Sequence, residues 1–204
     1  MQRLAVIDDD LAVRQSLLWL LESPSLAVSG YDSAEAFLAD TTAASCNCLI
    51  VDLRMGGMSG IMLLEKLAAW PYCPPVLMLT AHGDVPHAVA AFKQGVVDFL
   101  EKPFDDQHLL RLVEACLARD SEARSRHQRR QQVQDALQTL TEREREVMQL
   151  ILVGLLNKQI AEELAISMKT VEVHRARVFD KMGVKSAVEL AGLISILDSQ
   201  GGKA

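Results

Sequence analysis

The sequence predicts a doubly wound α/β unit on a five-stranded parallel sheet, followed by an all-α unit of four helices. Three observations predict it. Before residue 119, short apolar runs alternate with helical periodicity five times, a pattern that needs parallel strands joined by helical crossovers. Over 120–134 the apolar residues nearly vanish, while Arg, Gln and Glu dominate without Pro or Gly. From Leu140 onward only helical periodicity remains.

The first strand is Arg3-Leu4-Ala5-Val6-Ile7, which runs into Asp8, Asp9 and Asp10. A helix over 12–21 follows, with Val13, Leu17, Leu18 and Leu21 at helical spacing, and Ser23-Pro24 stops it. A short strand over 26–31 precedes a helix capped by Ser33. Leu49-Ile50-Val51 then reads as a strand buried on both faces, the centre of a parallel sheet, and it ends on Asp52. After a turn through Gly56, Gly57 and Gly60, a helix is expected over 61–70, closed by Pro71, Pro74 and Pro75. The strand Val76-Leu77-Met78-Leu79 delivers Thr80, a helix spans 85–94, and the strand over 96–101 delivers Lys102 before Pro103. A helix over 105–119 presents Leu109, Leu112, Val113 and Cys116 on one face.

The stretch 120–136 reads as a solvated helical extension rather than a flexible linker. Within 137–204, Thr141 and Glu144 fit a capping box, and the helix after it buries Val147, Leu150 and Ile151. A short helix over 157–165 is joined by the tight link Ala165-Ile166-Ser167 to a third, capped by Ser167, stapled by Ile166 and Val171, and running to Met182-Gly183. That is helix-turn-helix spacing. A fourth helix covers 187–197. The expected domains are therefore 1–119, a helical linker 120–136, and 137–204.

The formal charge of −6 is unevenly spread. Residues 1–110 are net −8, 111–135 net +2 and 136–204 neutral. No stretch approaches the ~18 apolar residues that span a bilayer, and the chain enters its first strand directly, so a soluble cytoplasmic protein without a membrane partner is expected. Cys46, Cys48, Cys73 and Cys116 form no C-x-x-C pair, and reduced, mostly buried thiols are expected.

Asp8, Asp9, Asp52, Thr80 and Lys102 each fall at the carboxyl end of a strand, the edge where an open α/β sheet keeps its ligands. Three carboxylates within a few ångströms repel unless a cation intervenes, and an all-oxygen site with few protein ligands suits Mg²⁺. A carboxylate oxygen of Asp52 left free by the metal is a nucleophile for phosphoryl transfer, with Lys102 and Thr80 placed to supply charge and a hydroxyl donor.

Val6-Ile7-Asp8-Asp9-Asp10, Val51-Asp52-Leu53-Arg54-Met55, Met58-Ser59-Gly60, Leu79-Thr80-Ala81-His82-Gly83 and Asp98-Phe99-Leu100-Glu101-Lys102-Pro103-Phe104 resemble the receiver domain of bacterial two-component response regulators. Leu140-Thr141-Glu142-Arg143-Glu144, Asn157-Lys158-Gln159-Ile160-Ala161 and Lys169-Thr170-Val171-Glu172-Val173-His174-Arg175 resemble the LuxR-type helix-turn-helix. Together they are similar to FixJ-like regulators. The resemblance implies a flavodoxin-like receiver and Asp52 as phosphoryl acceptor from a sensor histidine kinase. It implies Mg²⁺, or Mn²⁺ in its place, on Asp9, Asp52 and the backbone carbonyl of Arg54, with Asp8 acting through water. Lys102 would pair with the phosphoryl oxygens, the Lys102-Pro103 bond would be cis, and Thr80 and Phe99 would switch on phosphorylation.

Phosphorylation would promote a homodimer through 86–119 that binds promoter DNA and regulates transcription, with RNA polymerase as a further partner. Such a receiver is not an enzyme beyond its own phosphorylation and dephosphorylation. Base contacts would fall to Glu172, Val173 and Ala176, and phosphate contacts to Lys158, Thr170, His174, Arg177, Lys181 and Arg175, the last being near the inner face on a helical projection. The outward Val173 and Ala176 suit contact with thymine methyls.

Gly56 stands where this family commonly has Pro, so Gly56→Pro is expected to tighten Mg²⁺ binding. Arg54 and His82 are expected to tune the acyl phosphate lifetime. Two other readings compete. An aspartyl-phosphate phosphatase needs a second Asp at position 54, where this chain has Arg. A regulator with a constitutive dimerisation module would not need the complete acceptor set.

Overall fold

The computed structural model describes residues 1–81 and 96–198. The helix expected over 85–94, and His82 with it, lie outside them. The chain divides into two compact units, Met1–Ser125 and Arg126–Ala204.

In the first unit the elements run β1 (Gln2–Ile7), α1 (Leu11–Leu21), β2 (Leu26–Tyr31), α2 (Ala34–Ala39), β3 (Cys48–Asp52), α3 (Gly60–Leu67), β4 (Val76–Thr80), β5 (Asp98–Glu101) and α4 (Asp106–Gln138), the last continuing into the second unit. The five strands form one parallel sheet in the order β2-β1-β3-β4-β5. Strand order reverses between β1 and β3, and ligands bind at such a switch point.

Side-chain alternation splits the central strands between two cores. Ala5, Ile7, Leu49, Val51, Val76 and Met78 face Phe37 of α2 and Leu63 and Leu67 of α3. Leu4, Val6, Cys48, Ile50, Leu77 and Leu79 face Leu17 and Leu21 of α1 and Leu109, Val113 and Cys116 of α4. Every residue of β3 is buried, so its composition reflects burial on both faces. Asp10 caps α1, its carboxylate accepting from the amides of Ala12 and Val13, and Ser33 caps α2 as expected.

Strand β5 begins at Asp98, two residues later than expected, and helix α3 is also shorter than expected. Helix α3 stops at Leu67, three residues short, where turn bonds from Ala69 to Lys66 and from Trp70 to Leu67 lead into the prolines. Helix α4 is one continuous run from Asp106 to Gln138, so 120–136 extends it as a helix as expected, but Asp120 within that extension is not solvated. Asp120 explains the continuation. It is fully buried, and its carboxylate accepts from Asn47 Nδ2 at 2.8 Å, Tyr72 Oη at 2.7 Å and Arg124 Nε at 3.2 Å. Arg124 lies over the Tyr72 ring at 4.6 Å and donates to the Cys46 carbonyl at 2.7 Å. A charge buried so deeply must be paired, and these partners tie the helix past Arg119 to the amino-terminal side of β3. Cys46, Cys48 and Cys116 are buried thiols, whereas Cys73 is exposed.

The second unit holds α5 (Glu142–Leu152), α6 (Asn157–Glu163), α7 (Met168–Met182) and α8 (Ala187–Asp198). Its core joins Val147, Ile151, Ile160, Val171, Val178 and Leu190. The expected capping box forms: the Glu144 amide donates to Thr141 Oγ1 at 3.3 Å and the Thr141 amide to Glu144 Oε2 at 3.0 Å. The tight link between α6 and α7 requires a left-handed residue, and Ala165 takes it at φ 52°. For an L residue that costs roughly 1–2 kcal/mol, held by the bond from the Ile166 amide to the Ala161 carbonyl. Among the described residues no helix is long and apolar enough to cross a membrane.

Candidate functional site

Asp8 follows the last residue of β1 and Asp52 ends β3, and parallel pairing of Ile7 with Val51 brings those ends side by side. Asp8 is fully buried and Asp52 is 8% exposed, while Asp9, one residue further along, is exposed. One carboxylate oxygen from each of Asp8, Asp9 and Asp52 lies within 4.8 Å of the others. Close approach of the following helix is permitted by Gly60, where a Cβ would fall 2.5 Å from the Asp52 carbonyl oxygen.

Lys102 follows β5 and reaches across β4 into this cluster. Its ammonium lies 2.7 Å from Asp8 Oδ2 and 3.4 Å from Asp52 Oδ2. Burial pushes the Asp52 carboxyl above the ordinary Asp range against the pull of Lys102. Burial alone would lower Lys102, but the bond to Asp8 and the two negative charges outweigh it, and the ammonium is held above its ordinary range. One ammonium thus offsets part of the negative charge and leaves an acidic site of all-oxygen donors.

Other groups hold the acids in place. Asp8 Oδ1 accepts from the Asp10 amide at 2.9 Å, and Arg14 donates to the Asp8 carbonyl at 2.6 Å. Asp9 Oδ2 accepts from the Gly56 amide at 2.8 Å. The Arg54 amide donates to the Asp52 carboxylate, and the Arg54 side chain is exposed. Thr80 ends β4 beside Glu101, and its hydroxyl donates to the Ala81 carbonyl at 3.1 Å. Phe99 is half-buried against the Phe37 core, and the Lys102-Pro103 bond is cis. Arg14 and the Gly56 amide have no counterpart in the sequence reading. Arg14 lay one helical turn after a recognisable cap, whereas a backbone donor leaves no trace in residue type.

A second surface is offered by α7. Val171, Val178 and Met182 point into the core, while Val173 (44% exposed), Ala176, Arg177 and Asp180 face out, as the helical projection expects, and Glu172 is exposed as well. Lys158 on α6 is exposed, and Thr170 is half-buried beside the Ser167 cap, with the two hydroxyls 2.8 Å apart.

Three of the expected phosphate contacts have partners or buried atoms within the unit. Lys181 donates to the buried Glu144 at 2.7 Å and to the Thr139 carbonyl at 2.9 Å. Arg175 lies over the Phe179 ring at 5.4 Å and lines a pocket with Leu155, Leu156 and Ala187. His174 is half-buried, its Nδ1 buried without a hydrogen-bond partner, so that nitrogen does not face solvent.

The family model for the response regulator receiver domain matches residues 4–114, and that for the LuxR family of bacterial regulatory proteins matches 138–194. The chain is 47% identical to the transcriptional regulatory protein FixJ of Azorhizobium caulinodans, over 91% of this chain and 88% of that one. It is 45% identical to the C4-dicarboxylate transport transcriptional regulatory protein DctR of Rhodobacter capsulatus, over 91% and 95%. The structure of the response regulator StyR superposes with a TM-score of 0.85 at 41% identity, covering 95% of this chain and 98% of that one.

Proposed function

The chain belongs to the two-component response regulators that join a receiver to a LuxR-type DNA-binding domain, and from that premise we propose that Asp52 is its phosphoryl acceptor. It is a regulator of transcription and not a metabolic enzyme; its receiver implies a histidine kinase partner and its second domain implies DNA. The observation that supports Asp52 is the convergence of Asp8, Asp9, Asp52 and Lys102 at the β1/β3 switch point.

An Asp52 oxygen attacks the phosphorus of a phosphohistidine. The P–O bond forms as the P–N bond breaks, and the imidazole leaves and recovers a proton. The receiver catalyses this step and the later hydrolysis by placement and charge alone. Lys102 is placed to meet the incoming phosphoryl oxygens, already within 3.4 Å of Asp52. Asp9, Asp52 and the carbonyl of Arg54 would hold Mg²⁺ or Mn²⁺, with Asp8 behind them; an all-oxygen donor set of this charge fits a hard cation. When bound, the cation neutralises the carboxylates and gathers the phosphoryl oxygens.

Thr80 and Phe99 would then shift toward the phosphate and favour a homodimer through 86–119, of which 86–95 lie outside the described residues. On DNA, Glu172, Val173 and Ala176 would read bases, and Lys158, Thr170, Arg177 and the outer nitrogen of His174 would meet phosphates, in a cytoplasmic regulator acting on RNA polymerase. Lys181 and Arg175 are left out of this reading, since Lys181 pairs with Glu144 and Arg175 lies over Phe179.

The test is intact mass and size after incubation with Mg²⁺ and a small acyl phosphate, on the native chain and on Asp52→Asn. A gain of ~80 Da with dimer formation, absent in the variant, is expected. No phosphate on the native chain, with a dimer already present, would refute it and indicate a constitutive regulator.

A further inference from the structure

The loop after β3 contains two consecutive glycines, Gly56 and Gly57, which give the backbone more freedom than any other pair. Two carboxylates remove that freedom. At the near end Asp9 Oδ2 accepts from the Gly56 amide at 2.8 Å; at the far end Glu35 Oε1, from the first turn of α2, accepts from the Met58 amide at 3.0 Å. Gly57 lies between the two bonds at φ 113°, and a Cβ there would lie 3.3 Å from the same Glu35 oxygen. The loop is therefore suspended between an acid of the cation cluster and an acid outside it.

We propose that Glu35 is a positioning residue for the cation site, fixing the loop that carries the Arg54 carbonyl and, through Gly56, the orientation of Asp9. The inference rests on the reading of Asp8, Asp9 and Asp52 as the Mg²⁺ site. Glu35 is not among the grouped acids of that site. Its action runs through the hydrogen bond to Met58, in the way outer partners orient metal ligands. A Gln oxygen accepts the same bond without the charge, while Asp keeps the charge and loses the reach.

The experiment is calorimetric titration of Mg²⁺ into the full chain and into Glu35→Gln, Glu35→Asp and Glu35→Ala, with hydrogen exchange of the segment containing the Met58 amide measured without metal. Glu35→Gln is expected to bind within about twofold of the native chain and to keep the segment protected. Glu35→Asp and Glu35→Ala are expected to bind roughly threefold to tenfold more weakly and to exchange faster, at the lower end of outer-partner effects because Glu35 acts at one remove. Equal binding by all four chains overturns the positioning role alone. A Glu35→Gln variant as weak as Glu35→Ala shows that charge rather than the bond is responsible and also overturns it. A native chain that binds no Mg²⁺ removes the site reading itself, and this inference with it.

Discussion

Lys102 lies 2.7 Å from a fully buried Asp8 and 3.4 Å from Asp52, so a single ammonium serves two acids of different exposure. Asp8 takes the shorter bond and has its second oxygen on the Asp10 amide, whereas Asp52 has the longer ammonium contact and keeps some exposure. Asp9 is held by the Gly56 amide, and this bond reverses the expectation for Gly56→Pro. Proline would stiffen the loop but remove the donor that orients a ligand. Gly56→Pro should therefore weaken Mg²⁺ binding, by roughly tenfold on the scale of outer-partner losses. Gly56→Ala keeps the amide, and its Cβ would meet Asp9 Oδ2 at an ordinary 3.7 Å, so it should bind nearly as the native chain does. Titration of both variants checks this, and tighter binding by Gly56→Pro would restore the flexibility argument. The acids, Thr80 and Lys102 were legible because each ends an apolar run. The Gly56 amide was not, because every residue but proline has one.

At the scale of elements, one ion pair joins the start of α5 to the end of α7. Glu144 is 2% exposed, and the Lys181 bond, with the Thr141 amide behind it, lowers its carboxyl from the ordinary 4.5 to about 2. A pKa lower in the folded than in the unfolded chain stabilises the fold above the unfolded value. That stability is lost as pH falls from about 4.5 through about 2. Lys181→Met should cost the helical unit about 2 kcal/mol, less than a fully buried pair because Lys181 is partly exposed. It should also flatten the acid-induced loss over that window. Thermal melts of the full chain from pH 7 to pH 3 check it; an unchanged melting point with weaker DNA binding would return Lys181 to the phosphate contacts. Pattern alone revealed the capping box, since Thr141 and Glu144 are three apart, but Lys181 is 37 residues from Glu144 and only packing brings them together.

For the whole molecule, charge is partitioned along the chain: the acid belongs to the first 110 residues, and residues 136–204 are neutral. With Lys181 and Arg175 engaged within the unit, few cations on and around α7 remain for phosphates. Binding of one copy should depend only shallowly on salt, with a log–log slope near −2 to −3 for two or three phosphates neutralised. Arg177→Ala should reduce that slope by about 1, and Arg175→Ala should leave it unchanged. Fluorescence anisotropy on a promoter fragment over a salt series checks both, and equal losses from the two variants would place Arg175 on the DNA. The sequence by itself determined the fold class, the alternation of strand and helix, the acids at the strand ends and the outward face of α7, because burial periodicity and strand-end chemistry are local. Only the tertiary structure decided that Asp120 is buried against Asn47 and Tyr72, that the Gly56 amide holds Asp9, and that Lys181 pairs with Glu144. Each of those outcomes rests on a partner distant in sequence or on a backbone amide, and neither leaves a mark in the order of residue types.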